Sequence, residues 1–299
     1  MDQTRTIKVM KRREFIQTTS LAALGAATLS SFSLSNKPKI GLQLYSLRDI
    51  IKQDPKGVLE KVAGFGYKKL ETYDYEDGRL FGLTSKEFGT IAQELGMKIT
   101  SGHYHLGWSP SKKSWKGTLM NEWERAVIDA KENGQEFMVL AHLEEDERKS
   151  LDDYKFVIEQ LNKAAEICHK NNIQLSYHNH DYEFDSFEGQ VAYELMLKEL
   201  DPKLVSMELD LYWVKVAKLN PLDYFAKYPG RFEQWHVKDM DKVDPKKQVD
   251  LGTGCIDFPA IFAKSKQAGL KHFYVEQEAY PVSAIQSIEE NIKVVRKWF

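Results

Sequence analysis

Residues 173–178 read Ile-Gln-Leu-Ser-Tyr-His and residues 204–209 read Leu-Val-Ser-Met-Glu-Leu, two short runs with strand character. A helical pattern precedes each run, over residues 151–171 and 190–200, so helix and strand alternate in this part of the chain. The same alternation continues from Lys39 to the last helix and makes eight strand–helix units. Alternation of this kind predicts a parallel sheet, and eight units fit a closed (β/α)8 barrel better than an open doubly wound sheet.

The predicted elements cover the chain beyond its N-terminal segment. The predicted strands are 41–44, 67–72, 97–103, 137–141, 173–178, 204–209, 232–237 and 272–276; the predicted helices are 55–64, 85–95, 120–133, 151–171, 190–200, 221–228, 258–268 and 285–298. No GxGxxG motif follows the first strand and no GxxxxGK[ST] motif occurs, so the sequence carries neither nucleotide-binding signature. We therefore expect residues 36–299 to form one α/β domain, a single TIM barrel.

The composition argues against a nucleic-acid partner and against cysteine-based sites. Lys plus Arg number 42 and Asp plus Glu number 44, which gives a net charge of -2. This balance lacks the basic character of a nucleic-acid-binding protein. The two cysteines, Cys168 and Cys255, can form neither a disulfide framework nor a four-cysteine zinc site.

The first 35 residues have the character of a targeting segment. Lys11-Arg12-Arg13-Glu14-Phe15 precedes a weakly apolar stretch at 21–27 that is too short to cross a bilayer as a helix. The paired arginines resemble the twin-arginine export consensus, so we expect residues 1–35 to be a signal peptide and the mature protein to be periplasmic, without a membrane anchor. The alternative is a disordered or membrane-anchoring N-terminus.

Polar residues stand where the predicted strands end, which is where TIM barrels place their chemistry. These residues are Tyr45, Glu71, His103 with His105, His142, His178 with His180, Asp210, His236 with Lys238, and Glu276 with Glu278. Several are i, i+2 pairs, whose side chains share one face of a strand. A structural explanation would require several buried ionisable groups without a function, and each unpaired one would cost several kcal/mol.

Three of these residues predict a metal site. Asp210, His236 and Glu276 end successive strands and together offer the nitrogen and oxygen ligands that suit one divalent ion such as Mn²⁺, Zn²⁺, Co²⁺, Fe²⁺ or Mg²⁺. The fifth strand should add a fourth ligand from His178, His180 or Glu183, and we place His178 first.

Five motifs of the sequence resemble one family. They are Tyr-His-Asn-His-Asp-Tyr-Glu-Phe at 177–184, Glu-Leu-Asp-Leu-Tyr-Trp at 208–213, His-Val-Lys-Asp at 236–239, Gly-Thr-Gly-Cys-Ile-Asp-Phe at 252–258 and Val-Glu-Gln-Glu at 275–278. In this order they resemble the sugar phosphate isomerase/epimerase family, which has the xylose isomerase-like TIM barrel. Epimerases of that family hold one divalent metal with a Glu, an Asp, a His and a Glu from strands five to eight. The resemblance carries the last three to Asp210, His236 and Glu276.

The sequence departs from the family pattern at two strand ends. His178-Asn179-His180 stands where the epimerases have Glu-Asn-His, so an imidazole replaces a carboxylate that serves as ligand and acid/base. The Asp-x-x-His of strand six becomes Asp210-Leu211-Tyr212-Trp213, which gains an aromatic surface. Trp213 then either stacks on a sugar or fills the barrel rim.

The resemblance implies a carbohydrate substrate and proton transfer next to a carbonyl. A metal that chelates the carbonyl and a neighbouring hydroxyl would stabilise an enediolate. The candidate bases are Glu276, Glu183, His103 and His105, and Lys238 either stabilises an oxyanion or pairs with Asp239 or Glu208. The expected substrate contacts are Tyr45, Glu71, His180, Trp213, Trp108 and Glu278.

We expect an isomerase or epimerase acting on a non-phosphorylated sugar, and the main alternative is a lyase or hydratase acting on a keto-sugar or keto-glycoside. A glycine-rich turn at 250–255 either shapes the pocket or binds phosphate, and the loop 104–116 is expected to cover the barrel mouth. A periplasmic sugar-binding barrel is a further alternative. An endonuclease IV-type nuclease is the least favoured one because of the charge and the export signal. Barrels of this kind often pair through surface helices, so a homodimer is compatible with the sequence.

Overall fold

The computed structural model describes residues 38–299, and the predicted signal peptide lies outside the described residues. The described chain from Lys39 to Phe299 forms one compact unit. None of the helices in this part of the chain is both long enough and apolar enough to cross a membrane.

Eight parallel strands close into a barrel. They are β1 (Gly41–Gln43), β2 (Lys69–Thr72), β3 (Lys98–His105), β4 (Phe137–His142), β5 (Gln174–His178), β6 (Val205–Asp210), β7 (Gln234–Val237) and β8 (His272–Val275). Each strand pairs with its neighbours in chain order, and β8 pairs with β1 to close the ring. The sequence-based prediction of a (β/α)8 barrel is therefore confirmed.

The closing seam depends on a glycine. Gly41 of β1 pairs with Tyr274 of β8. A Cβ atom at Gly41 would lie 2.6 Å from the carbonyl oxygen of Phe273 and against the Tyr274 ring, closer than packed atoms approach. Only glycine lets the two backbones meet at this distance.

Helices surround the barrel and begin at residues that the sequence marks. They are α1 (Pro55–Phe65), α2 (Ser85–Glu94), α3 (Trp123–Glu132), α4 (Leu151–Lys170), α5 (Ala192–Glu199), α6 (Leu211–Val216), α7 (Pro221–Lys227), α8 (Phe258–Phe262), α9 (Ser265–Ala268) and α10 (Ala284–Val295). Asp54 caps α1, and Thr84 and Ser150 form capping boxes at α2 and α4. Such caps satisfy backbone N–H groups that the first helical turn leaves without partners.

The structure differs from the predicted elements in two ways. The predicted helix 258–268 is interrupted, so α8 and α9 are separate. Helix α6 and three two-stranded ribbons were not predicted, and the ribbons pair 79–80 with 83–84, 186–187 with 190–191, and 239–240 with 248–249. Segments of two residues are too short to show a periodicity in the sequence.

The strands face two different environments. Their outward residues, among them Leu42, Leu70 and Leu209, are buried in the apolar core beneath the helices. The interior is polar at its base, where Gln234 Nε2 donates a hydrogen bond to Ser101 Oγ over 2.9 Å. Polar residues continue upward along the interior, and this places ionisable groups at the carboxyl ends of the strands.

Candidate active site

Strand register brings the ionisable residues of three neighbouring strands to the same level. Glu208 of β6 pairs with His178 of β5, and Asp210 of β6 pairs with His236 of β7. Glu208 and Asp210 are two residues apart, so both point into the barrel. All four side chains are buried.

Possible metal ligands form two groups at this level of the barrel. The group nearer the mouth, called the outer group, contains the three residues predicted to bind metal. Asp210, His236 and Glu276 each place a ligand atom within 4.8 Å of the others. His236 Nδ1 lies 2.6 Å from Glu276 Oε2, and His178 Nε2 lies 3.7 Å from Asp210 Oδ2. The structure thus brings three of the four predicted ligands together and places His178 beside Asp210. His178 also belongs to the inner group, in which ligand atoms of His103, His178, Glu208 and His236 lie within 4.8 Å of one another.

Two further carboxylates contact the ring nitrogens of His236 and His178 that face away from the outer group. Glu71 accepts a hydrogen bond from His236 Nε2, and Glu208 lies 3.1 Å from His178 Nδ1. Gln43 Nε2 donates to Glu71 over 2.8 Å and fixes that carboxylate in turn. Histidines that bind metals commonly donate their other N–H to a carboxylate in this way, which orients the ring and makes it a better ligand.

The residues of the outer group fit a divalent metal ion. Asp210 Oδ1 accepts the backbone N–H groups of Tyr212 and Trp213, so the other oxygen, Oδ2, is turned toward the group. Oδ2 is buried and has no hydrogen bond among residues 38–299, although Lys238 Nζ lies 2.9 Å away. A mixed set of two imidazole nitrogens and two carboxylate oxygens suits a borderline divalent ion.

The electrostatics of the group show strong coupling. Burial alone would lower the pKa of His236, but the three carboxylates around its ring raise the pKa to about 10. Burial alone would raise the pKa of Glu276, but Lys238 and His236 hold it well below its usual range. Burial raises the pKa of Asp210 and also that of Glu208, which lies beside a second carboxylate. The site therefore concentrates negative charge that a cation would offset.

Lys238 lies in the site and is buried. Its Nζ is 2.9 Å from Asp210 Oδ2, 2.7 Å from Glu276 Oε2 and 2.7 Å from Glu278 Oε1. The alternative in which Lys238 pairs with Asp239 or Glu208 is wrong, because Lys238 directly follows β7 and its ammonium group contacts Asp210, Glu276 and Glu278 instead. Its ammonium group faces the cavity beside the Trp213 ring, whose centroid is 5.9 Å away.

A cavity of about 490 Å³ opens above the group at the barrel mouth. Its lining consists of Tyr45, Tyr73, Asp74, His103, Tyr104, His105, Lys112, Trp115, Ala141, His142, Glu144, His178, His180, Trp213, Lys238, Glu276 and Glu278. Lys112 and Trp115 come from the loop 104–116, so this loop forms part of the cavity wall. The aromatic and polar lining suits a small polyhydroxylated ligand.

Three imidazoles on the cavity are kept neutral by their surroundings. Burial lowers the pKa of His105 to about 3 and also lowers the pKa values of His142 and His180. His105 packs edge-on against Trp115, with ring centroids 5.2 Å apart. The His103 Nε2 atom lies 2.9 Å from Glu208 Oε2 and 3.2 Å from Glu71 Oε2.

Three predicted site residues lie away from the cavity. Glu183 is fully buried, where it accepts hydrogen bonds from Tyr177 Oη and from the backbone N–H of His180, so it is not placed to act as a base or ligand. Trp108 packs on Phe156 instead of lining the mouth. Glu71 lies beneath the imidazoles, and its place there corrects the expectation of a direct substrate contact.

The glycine-rich turn at 250–255 holds a carboxylate of this chain. The backbone N–H groups of Gly252 and Gly254 donate to Asp239 Oδ2 over 2.9 and 3.1 Å, and Ile256 N–H donates to Oδ1 over 3.1 Å. These amides already have an anionic acceptor, so the turn is not arranged as a phosphate site. It also lies outside the cavity lining.

Glu208 and Gln43 are parts of the site that were not predicted. Glu208 stands two residues before Asp210, so the i, i+2 spacing that relates the histidine pairs also relates these two carboxylates and is a signal for Glu208. Gln43 carries no charge and lies within the first strand, so nothing in its sequence context marks it.

A closed parallel barrel with ionisable groups converging at its carboxyl-terminal mouth defines the class of a TIM-barrel enzyme. The chain belongs to the xylose isomerase-like TIM barrel family, whose model matches residues 59–298.

Among characterised relatives, inosose dehydratase from Geobacillus kaustophilus (strain HTA426) is 22% identical over 235 residues, which cover 69% of this chain and 74% of the relative. The crystal structure of a sugar phosphate isomerase/epimerase from Parabacteroides distasonis ATCC 8503 is 29% identical, with a TM-score of 0.72, and the match covers 88% of this chain and 95% of that one. The IOLI protein with a bound zinc atom shares the fold at 16% identity, with a TM-score of 0.69 over 88% of this chain and 99% of that chain.

Proposed function

We propose that this protein is a divalent-metal-dependent carbon–oxygen lyase, a dehydratase or hydratase, that acts next to the carbonyl group of a non-phosphorylated keto-sugar or related polyol. The observation that carries the proposal is the presence of two neighbouring groups on the cavity wall that can each take up or release a proton. His142 and His180 lie side by side on one wall of the cavity, with ring centroids 5.3 Å apart. An elimination needs one group to take a proton from carbon and another to protonate the departing oxygen.

The residue at the end of β5 supports elimination over epimerisation. This residue is His178, not a glutamate, and the nearby Glu183 accepts hydrogen bonds from Tyr177 Oη and from the His180 N–H group. Glu276 is paired with Lys238 over 2.7 Å and with His236 over 2.6 Å. A reversible epimerase needs carriers of matched strength on opposite faces of the reacting carbon, and this arrangement does not provide a second carboxylate at β5.

His178, Asp210, His236 and Glu276 would hold the metal. When bound, the ion supplies Lewis acidity, which withdraws electron density from a substrate carbonyl and makes the neighbouring C–H group more acidic. Lys238 is placed to donate a hydrogen bond to a substrate oxygen that gains negative charge. Trp213 offers an apolar face for the C–H surface of a sugar.

The curated relative supports this reaction, since its name describes removal of water from an inosose. A substrate without a phosphate is supported by the turn at 250–255, whose amides bind Asp239. The predicted export of the chain, by a signal in residues 1–35, supports it as well, because sugar phosphates are kept in the cytoplasm.

A sugar isomerase or epimerase is the second candidate. The likeness to the Parabacteroides distasonis protein favours it, at 29% identity over most of both chains. In that case Glu276 and a histidine such as His103 would work from opposite sides of the substrate.

The test is to incubate the metal-loaded protein in D₂O with inososes, 3-keto-glycosides, free ketoses and aldoses and to follow the products by NMR. Loss of water or of a glycosidic leaving group supports the lyase. Deuterium at carbon with a changed configuration or carbonyl position supports the isomerase or epimerase and contradicts the lyase. Asp210→Asn is the control, since it should abolish either reaction by removing a metal ligand.

A further inference from the structure

Tyr182 lies behind the two histidines of the cavity wall and contacts both. It begins the short 3₁₀ turn Tyr182–Phe184 that follows β5. Its hydroxyl oxygen is 3.3 Å from His142 Nδ1 and 3.3 Å from His180 Nδ1, and it accepts a hydrogen bond from the backbone N–H of Leu143 over 3.2 Å. The hydroxyl therefore joins two imidazoles that come from β4 and from the end of β5.

The ring of Tyr182 is held in place by its neighbours. The His180 ring lies nearly parallel to it, at an interplanar angle of 7°, with centroids 5.2 Å apart. The Arg148 guanidinium lies over the ring, 3.8 Å from its centroid. A side chain that is packed in this way keeps its hydroxyl between the two imidazoles.

The hydrogen-bonding capacity of a hydroxyl determines how the two imidazoles are protonated. A tyrosine hydroxyl has one proton to donate and two lone pairs. The Leu143 N–H uses one lone pair. One lone pair and one proton remain for two Nδ1 atoms, so one imidazole must donate to the hydroxyl and the other must accept from it. Because a neutral imidazole carries one proton, His142 and His180 then have opposite tautomers.

Opposite tautomers give the cavity wall two different functional groups. The side-chain hydrogen bonds of both rings in the described part of the chain are made through Nδ1, so each Nε2 has no partner there. Both residues line the cavity. One Nε2 is thus an acceptor and the other is an N–H donor.

We propose that Tyr182 couples His142 and His180 into one proton-donor and proton-acceptor pair that carries both proton transfers of an elimination. This inference rests on the proposed lyase function. His142 and His180 are catalytic residues in this scheme, and Tyr182 is a positioning residue.

The proton balance closes within the three side chains. The bare Nε2 takes the proton from substrate carbon, and the C–H electron pair forms the new carbon–carbon double bond. The other imidazole gives its Nε2 proton to the departing oxygen, which leaves as water or alcohol with the electron pair of the broken C–O bond. The first imidazole passes its Nδ1 proton to the hydroxyl oxygen, and the hydroxyl passes its own proton to Nδ1 of the second. Both rings end neutral with their tautomers exchanged, and the same transfer in reverse through the hydroxyl restores the starting tautomers after the product leaves.

The first test is independent of the substrate. Nitrogen NMR of ¹⁵N-histidine-labelled, zinc-loaded protein reports the tautomer of each imidazole, with His142→Asn and His180→Asn used for assignment. We expect one of the two residues to carry its proton on Nδ1 and the other on Nε2. Finding the same tautomer on both would overturn the proposal, whatever reaction the enzyme catalyses.

The second test is the Tyr182→Phe variant, with Tyr212→Phe as the matched control. Tyr212 is also buried beside the site, but its hydroxyl donates only to the carbonyl of Pro245, over 3.4 Å. Tyr182→Phe should give both histidines the same tautomer and lower kcat for elimination about 100-fold, the lower range for general acid–base catalysis, with KM changed less than about threefold. Tyr212→Phe should leave both unchanged.

These outcomes distinguish failure of the lyase proposal from failure of the proposed coupling through Tyr182. Opposite tautomers in a protein that isomerises sugars without elimination would refute the lyase and with it the assigned role of the pair. An unchanged kcat in Tyr182→Phe, in a protein that does catalyse elimination, would refute the coupling alone.

Discussion

Replacing Glu208 by glutamine should weaken metal binding without unfolding the protein. Glu208 is fully buried and lies 3.1 Å from His178 Nδ1, behind the face of the imidazole that would bind metal. Glutamine keeps the shape and an oxygen acceptor but removes the negative charge that makes the imidazole a stronger donor.

The expected loss of metal affinity follows from the contact between Glu208 and His178. Removing the outer partner of a metal-binding histidine typically costs about 10- to 100-fold in metal affinity. This loss corresponds to about 1.4 to 2.7 kcal/mol. The stability of the metal-free protein should change in the other direction: burial raises the pKa of Glu208, and the Glu71 carboxylate beside it raises that pKa further. Glutamine removes this repulsion, so the metal-free variant should unfold at the same or a higher denaturant concentration.

The assay is competition with a chelator of known affinity, using protein stripped of metal and titrated with Zn²⁺ or Mn²⁺. Glu147→Gln is the matched control, because Glu147 is equally buried but accepts hydrogen bonds from the backbone at Trp108 and Ser109 and has no hydrogen bond or ion pair with a histidine among residues 38–299. An affinity for Glu208→Gln within twofold of the unmodified protein would refute this account of the site. Equal losses in both variants would also refute it, since they would indicate general destabilisation.

Three further predictions concern other parts of the chain. Trp213→Ala should raise KM for the substrate about fivefold, consistent with the loss of about 1 kcal/mol of aromatic contact, and leave zinc affinity unchanged; a change confined to zinc affinity would contradict the placement of this ring on the substrate. Burial raises the pKa of Glu183 from 4.5 to about 8, so its contribution to stability is complete below pH 4.5 and is lost as the pH rises toward and through 8. The unfolding free energy should therefore fall relative to Glu183→Gln over this range, by at most about 1.4 kcal/mol per pH unit, as denaturant titrations at pH 5 to 9 would measure; a pH-independent difference would contradict it. Replacing Arg12 and Arg13 by lysine should retain the protein in the cytoplasmic fraction of expressing cells, and an unchanged periplasmic fraction would exclude twin-arginine export.

Local patterns in the chain were sufficient to predict the barrel and most of its elements. Strand β3 was predicted at 97–103 and spans Lys98–His105, and helix α4 was predicted at 151–171 and spans Leu151–Lys170. These assignments succeed because hydrophobic periodicity and capping residues act within one turn or one strand. Helix α6 was not predicted, because its six residues, Leu211–Val216, are too few to show a helical periodicity, although Asp210 caps it.

The sequence by itself determined which ionisable residues end the strands, and the i, i+2 spacing determined which of them share a face. Only the tertiary structure decided which nitrogen of each imidazole faces the outer group, because Glu71 and Glu208 bind the opposite nitrogens from β2 and β6. It also decided that Glu183 lies outside the cavity and that Tyr182 joins two histidines. These contacts depend on strand register and barrel closure, which set distances between residues far apart in the chain, and no local pattern encodes those distances.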